Sequence, residues 1–192
     1  NVLDAVSLAA ISEAQIVGLT TAQIAGLSNS TIESLSTVAV AALRTTQIAA
    51  ITTAQAIALV DATLTALTSS QIGALTTSAV AILNYDSLAA LLTDQVQALT
   101  TAQIAGLTTQ QVSELTTKAL TALTTKQIVA LETRDIAALS YESLNALKTE
   151  QLQALSSSQI AGLSSQQLND LFSTTLRNLT TSQVRFIETS DL

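Results

Sequence analysis

The chain contains no cysteine, histidine, methionine, tryptophan or proline. Without cysteine it has no disulfides, no thiolate nucleophile and no zinc–thiolate site. With histidine missing too, a hydrolytic triad would have to join Ser or Thr to Lys or a carboxylate, and no such group interrupts the pattern described below. No glycine-rich phosphate loop is present. Aromatic rings come only from Tyr85, Tyr141, Phe172 and Phe186, so a core must be built from Leu, Ile, Val and Ala. Charged residues make up 11% of the chain, against about a quarter in an average domain. Thr, Ser and Gln must therefore cover most of the surface. Seven basic residues in a chain of net charge −7 supply no cationic footprint for nucleic acid, whose binding needs Lys and Arg to neutralise phosphates. No apolar run approaches the roughly 18 residues needed to span a bilayer. No signal peptide is visible, and the sequence opens on Asn1, as expected of a piece of something longer.

What is present is a repeat of eight residues. From Leu3 the chain divides into LDAVSLAA, ISEAQIVG, LTTAQIAG, LSNSTIES and so on, with no insertion or deletion, through LTTSQVRF to the final IETSDL. Residues 3–186 are 23 full octads. The pattern is Leu, Thr/Ser, Thr/Ser, any residue, Gln, Ile/Leu/Val, Ala, Ala/Gly. Position 1 is Leu except at Ile11, Ile51 and Ile187, and position 6 is aliphatic throughout, small only at Ala56. Such self-similarity at a fixed period is the mark of a stacked repeat architecture.

One continuous helix is excluded by geometry. Eight residues at about 100° each would rotate the apolar pair by about 80° per repeat, leaving no stripe to bury. Strand alternation fails because positions 1 and 6 have opposite parity. The remaining solution is an all-α solenoid, or superhelix, of very short capped helices, one per octad, with a bend between. In Leu19-Thr20-Thr21-Ala22-Gln23-Ile24, Thr20 is placed to cap and Gln23 to return the bond, with Leu19 and Ile24 as the hydrophobic staple. The cap is expected to move to position 3 where position 2 cannot serve: Arg44, Val60, Leu92, Glu132, Lys148, Phe172 and Glu188 are followed by Thr45, Asp61, Thr93, Thr133, Thr149, Ser173 and Thr189.

A longer period overlies the octad. Departures from Gln at position 5 include Ser7, Thr63, Ala119 and Thr175, spaced by 56 residues, and Thr31, Ser87 and Ser143 with the same spacing. The two series interleave at three and four octads. Their mean of 3.5 octads predicts a coil of 28 residues, with equivalent environments every second coil. Duplication of a 56-residue segment is the other explanation of the long period. At about 9 Å between packed layers, the whole chain as a single solenoid domain over residues 1–192 would make a rod of roughly 60 Å. Positions 1 and 6 should fill its interior, and the small position 8 should let neighbouring backbones approach.

Candidate sites are few. Position 4 carries charge at Asp86, Asp94, Lys118, Lys126, Arg134, Glu142 and Glu150, readable as a surface-contact strip or as a solvated edge. Glu114 and Asp170, at position 8, suggest either a cation site or a position that surfaces every second coil. Tyr85 and Tyr141 are either contact residues or cover for a bend. The Thr/Ser columns at positions 2 and 3 are either caps or a hydroxyl ladder that orders water or ice. Phe172, Arg177, Arg185 and Phe186 loosen the last octads, as a capping end or the approach to another domain would.

The octads LTTAQIAG and LTTKQIVA resemble repeat stretches of very long, repetitive secreted or surface proteins of bacteria, adhesin-like ones among them. That resemblance implies an extracellular or cell-surface location and a structural spacer or adhesion-type contact module. The calcium-binding companion motif GGxGxD is absent from the chain. The expectation is thus a non-enzymatic module with no cofactor or metal, no nucleic-acid partner and no membrane insertion. Its partner would be an unidentified protein or surface, or itself by end-to-end association. A partner-binding scaffold and an ice- or water-ordering surface are the alternatives.

Overall fold

The computed structural model describes residues 13–59 and 61–187, and they form 22 short helices with no strand among the described residues. Each helix holds four to six residues, as in Thr101–Ala105, Thr125–Ala130 and Thr181–Val184. Helices this short do not persist alone, because nucleation costs more than one turn returns. Capping and packing hold them instead. The all-α solenoid expected from the octads is what forms.

The local mechanism is visible at one octad. Thr20 is extended (φ −75°, ψ 160°) and its hydroxyl accepts from Gln23 N at 3.2 Å, while Gln23 Oε1 accepts from Thr20 N at 2.8 Å. The same reciprocal box recurs at Thr52, Thr68, Thr100, Thr124, Ser156, Ser164 and Thr180. Positions 1 and 2 are the extended hinge between helices: Leu99 lies at φ −57°, ψ 130° and Thr100 at φ −70°, ψ 156°. Among the described residues none adopts positive φ and no peptide bond is cis. The bends therefore need neither a left-handed glycine nor proline.

The cap does not migrate as expected. Arg44, Leu92, Glu132, Lys148 and Phe172 remain the N-cap residues although their side chains make no capping bond, and the Thr or Ser after each is the first helical residue. The frame holds because the second half of the box survives. The N–H of Arg44, Leu92 and Lys148 still donates to the Oε1 of Gln47, Gln95 and Gln151 at 2.8–2.9 Å. The Glu132 N–H donates to Asp135 Oδ2 at 3.0 Å. Moving the cap by one residue would pull Leu and Ile out of the interior, a far larger loss than one hydroxyl bond. The expectations at Asp61 after Val60 and at Thr189 after Glu188, and those on Ser7, involve residues outside the described ones.

The chain falls into two compact units, one up to Gly106 and one from Leu107 onward. Within each, a helix packs on the helix three octads away. Ser69–Ala74 lies against Thr93–Ala98 and Thr77–Ala81 against Thr101–Ala105 in the first. In the second, Thr125–Ala130 lies against Thr149–Ala154, and Ser157–Ala161 against Thr181–Val184. Positions 1 and 6 make the core: Ile24, Ile48, Leu64 and Val80 are fully buried in the first unit, as are Val112, Leu120, Ile128 and Ile136 in the second. Ala56 keeps the core place of its octad while the larger Ile57 beside it is exposed.

Candidate functional site

The most regular polar feature is position 5, where a column of glutamines lies inside the protein. Gln47, Gln55, Gln71, Gln95 and Gln103 in the first unit, and Gln151, Gln159, Gln167 and Gln183 in the second, are all buried. A primary amide has an acceptor and a donor end, and both are used. Oε1 takes the N-cap N–H of its own helix. Nε2 crosses to the previous coil and donates to two carbonyls at a bend. From Gln47 these are Ile16 O at 2.9 Å and Leu19 O at 2.8 Å, and from Gln159 they are Ile128 O at 3.0 Å and Leu131 O at 2.8 Å.

These acceptors explain why the amide must be there. A position-6 carbonyl already accepts the tight bond that closes its helix, as Ile128 O does from Leu131 N. The position-1 carbonyl sits on the extended hinge, beyond the helix ladder, where a buried C=O without a donor is costly. The glutamine of the next coil supplies that donor. The separations are 31 and 28 residues every time, from Gln55 to Ile24 and Leu27 as from Gln151 to Leu120 and Leu123. Twenty-eight residues are three and a half octads, so a helix lies over the junction between two helices of the previous coil. This is the winding expected from the sequence.

Because of the half-octad offset, position 3 stacks on positions 7 and 8 of the next coil. A Cβ at Gly106 would strike the Thr77 γ-methyl, and one at Gly162 the Thr133 γ-methyl. The small position 8 thus receives a threonine methyl, while Gly73, at position 7, admits the backbone: a Cβ there would stand 2.9 Å from Ala98 O. The offset also bears on the hydroxyl columns. Position-2 hydroxyls cap, and position-3 hydroxyls do not stack on one another from coil to coil.

Two octads depart from the glutamine rule in a way sequence reasoning did not foresee. Asp135 occupies position 5 and is completely buried, its carboxylate accepting from Thr109 Oγ1 at 2.8 Å as well as from Glu132 N. In the Phe172 octad both members of the box are missing, and Asn145 of the preceding coil replaces them. Its Oδ1 accepts from Phe172 N at 2.8 Å and Thr175 Oγ1 at 2.7 Å, and its Nδ2 donates to Asp170 O at 3.1 Å. Nothing in the sequence singled Asn145 out, because position 7 is Ala in nine of the 23 octads and polar or charged in ten. Among the described residues no buried side-chain nitrogen or oxygen is left without a partner.

The charged position-4 residues are all exposed, Asp86 and Asp94 in the first unit and Lys118, Lys126, Arg134, Glu142 and Glu150 in the second. With three and a half octads to a turn, consecutive ones are carried about 100° around the coil, so a run in sequence is not a run in space. Residues three octads apart do stack: the helix of Lys118 packs on that of Glu142, and the helix of Lys126 on that of Glu150. Arg134 pairs instead with Glu132 of its own octad at 2.8 Å. Glu114 and Asp170 each accept from a glutamine four residues earlier, Gln110 at 3.1 Å and Gln166 at 2.7 Å. No group of three or more acidic residues that could hold a metal ion is found among the described residues. Nor is any helix there long and apolar enough to cross a membrane.

Tyr85 and Tyr141 each begin a helix and are about half exposed. The Tyr141 hydroxyl hydrogen-bonds to Glu142, which raises the phenol above its ordinary value and lowers the carboxyl below its own; the charge of Asp170 adds to the effect on the phenol. Phe172 and Phe186 are exposed.

A family model described as the ALTTAQ repeat matches residues 80–117, 128–165 and 136–173. Each match starts at position 6 of an octad, and the last two are offset by one octad, so the chain is similar to that repeat in the register read above. No curated protein matches the chain.

Proposed function

We propose that the chain is a non-enzymatic structural module, a spacer or contact segment of a larger extracellular or surface-exposed protein. The observation that carries this reading is the consumption of its regular polar groups. Position-2 hydroxyls cap helices, and position-5 amides join each coil to the one before. The side chains that recur most faithfully are spent on holding the stack together, which is the design of a part that carries load or sets a distance. The similarity to the ALTTAQ repeat over residues 80–117 and 128–173 agrees with a tandem-repeat module. The extracellular placement and the adhesion-type contact rest on the resemblance of LTTAQIAG to octads of secreted and surface proteins.

The test is mechanical. The chain is spliced between two folded reporter domains and the fusion is stretched. A spacer built of coils bonded only to their neighbours should yield in repeated steps, each releasing the length of one or a few coils. Release of the whole length at forces that merely straighten an unfolded chain would defeat the reading.

A further inference from the structure

Asn145 does more than replace a capping box. Its amide donates to Tyr141 O at 2.9 Å and to Asp170 O at 3.1 Å, and accepts from Phe172 N at 2.8 Å. Two of the chain's four aromatic residues thus leave the backbone beside one side chain, from neighbouring coils of the second unit. Tyr141 stands at position 3 and Phe172 at position 2, where no described octad buries its residue, and they are 45% and 60% exposed. The scaffold calls for neither ring, since Thr or Ser holds these positions in most octads. Thr133 sets its methyl against Gly162, and Tyr141 is related to Asp170 by the same 29-residue step. The Asp170 charge accordingly acts on the phenol, whose hydroxyl bonds Glu142. Two rings and two carboxylates share one patch of surface.

We propose that this patch docks a basic segment of a partner protein, with an arginine or lysine side chain lying over the rings of Tyr141 and Phe172 and its charge against Glu142 and Asp170. Charge selects the occupant. Glu142 is exposed and Asp170 half-buried, and neither is in an ion pair among the described residues, where the ion pairs belong to Arg134. Lys118, whose helix packs against that of Tyr141, pairs with neither of them. The patch belongs to a chain of net charge −7, whose field draws cations in. An aromatic face attracts a cation through its quadrupole, and a carboxylate beside it completes the contact. A neutral sugar would need uncommitted hydrogen-bonding groups instead. Here the phenol is committed to Glu142, and the Gln166 amide to Asp170 Oδ2 at 2.7 Å. Tyr85 and Asp86 repeat the aromatic–acid pair 56 residues earlier, but Ala89 and Thr116 stand in place of Asn145 and Phe172, so that pair lacks the second ring. The surface is separate from the spacer reading, because a rod sets a distance with or without it.

The probe is the peptide acetyl-Gly-Arg-Gly-amide, and its neutral twin carries citrulline in place of arginine. Added to the 192-residue chain, the arginine peptide should give saturable NMR shifts at residues 141–145 and 170–172, with its arginine δ-methylene protons moved upfield by the rings. The citrulline peptide should bind clearly more weakly. Tyr141→Thr and Phe172→Thr install a residue usual at each position, so both should fold, which circular dichroism reports. Each should weaken binding by about two- to fivefold, the size of one exposed cation–π contact. Phe172→Leu, which places there the residue found at Leu92, serves if Phe172→Thr does not fold. Tyr85→Thr should leave binding unchanged. Absence of saturable shifts overturns the proposal. So does equal binding of the two peptides, or Tyr141 and Phe172 variants that bind as the unaltered chain does, or a Tyr85→Thr that weakens binding as much as Tyr141→Thr. Shifts at the same residues with methyl N-acetylglucosaminide but not with the arginine peptide would overturn it in favour of a sugar-recognising face.

Discussion

Gln159 and Leu131 are 28 residues apart in sequence and 2.8 Å apart in space, the amide Nε2 of the first donating to the backbone carbonyl of the second. The same amide's Oε1 accepts from Ser156 N at 2.8 Å. One side chain thus starts its own helix and ties that helix to the bend beneath it.

Replacing Gln159 by Leu should remove both functions and strand a buried carbonyl. With about 1–3 kcal/mol for a buried polar group left unpaired, and a similar term for the cap, the loss should be about 2–4 kcal/mol, read by denaturant unfolding. Gln159→Glu keeps the cap acceptor but turns a carboxylate oxygen toward the carbonyls of Ile128 and Leu131. That raises the folded-state pKa of the new carboxyl. The penalty is then full above that raised value and fades as pH falls toward the ordinary glutamate value of about 4.3. The variant should accordingly be closest to the unaltered protein near pH 4 and furthest from it at neutral pH.

Asn145→Ala should cost about 1–2 kcal/mol, because the Phe172 N–H loses its only capping partner. The double change Phe172→Thr with Thr175→Gln rebuilds the ordinary box in that octad. In that background Asn145→Ala should cost clearly less. Equal costs in both backgrounds, measured as a double-mutant cycle, would show that Asn145 does not stand in for the box.

Helix propensity alone says Gly73→Ala should stabilise by about 1 kcal/mol. The structure says the opposite, because the added methyl would stand 2.9 Å from the Ala98 carbonyl oxygen, a backbone atom that cannot swing aside. A lower melting temperature is expected. At Gly162→Ala the close neighbour is the Thr133 methyl, the end of a side chain that can rotate, and the nearest backbone atom, Ser158 O, stands back at 3.3 Å, so this change should be tolerated better.

Ile128→Ala in the interior of the second unit, at a fully buried position 6, should cost about 2–5 kcal/mol. The same truncation at Val184, half exposed on the last coil, should cost much less. Thermal unfolding of the two variants compares a covered coil with an uncovered one.

Tyr141 should lose its proton only above the usual phenol value, since its hydrogen bond to Glu142 holds the neutral form. In Glu142→Gln the bond to a carboxylate is gone, and the titration should move down in pH. Tyrosine absorbance reads it directly, with Tyr85 the only other tyrosine in the chain.

Much of this architecture was legible in the residues. The opposite parity of Leu99 and Ile104 excluded a strand, the drift of the Leu column excluded a long helix, and Thr100 with Gln103 announced a capped turn. The spacing of Thr31, Ser87 and Ser143 against Thr63, Ala119 and Thr175 pointed to the 28-residue coil. What was not legible were the partners across coils. The stability of the N-cap at Arg44 and Leu92 was missed because capping was judged one helix at a time, whereas the buried Leu and Ile on either side fix the frame. The double duty of glutamine was missed for a related reason: its acceptor end satisfied the local pattern, and nothing local demanded a use for its donor end.

The sequence by itself determined the elements, because helix starts, hinges and core positions follow from contacts within eight residues, where chain connectivity dictates what meets what. Only the tertiary structure decided what lies between the coils: Gln159 on Leu131, the Thr133 methyl on Gly162, Asn145 in place of a missing box. Those contacts join residues 25–31 apart, and they exist only once winding lays the middle of one octad over the junction of two others.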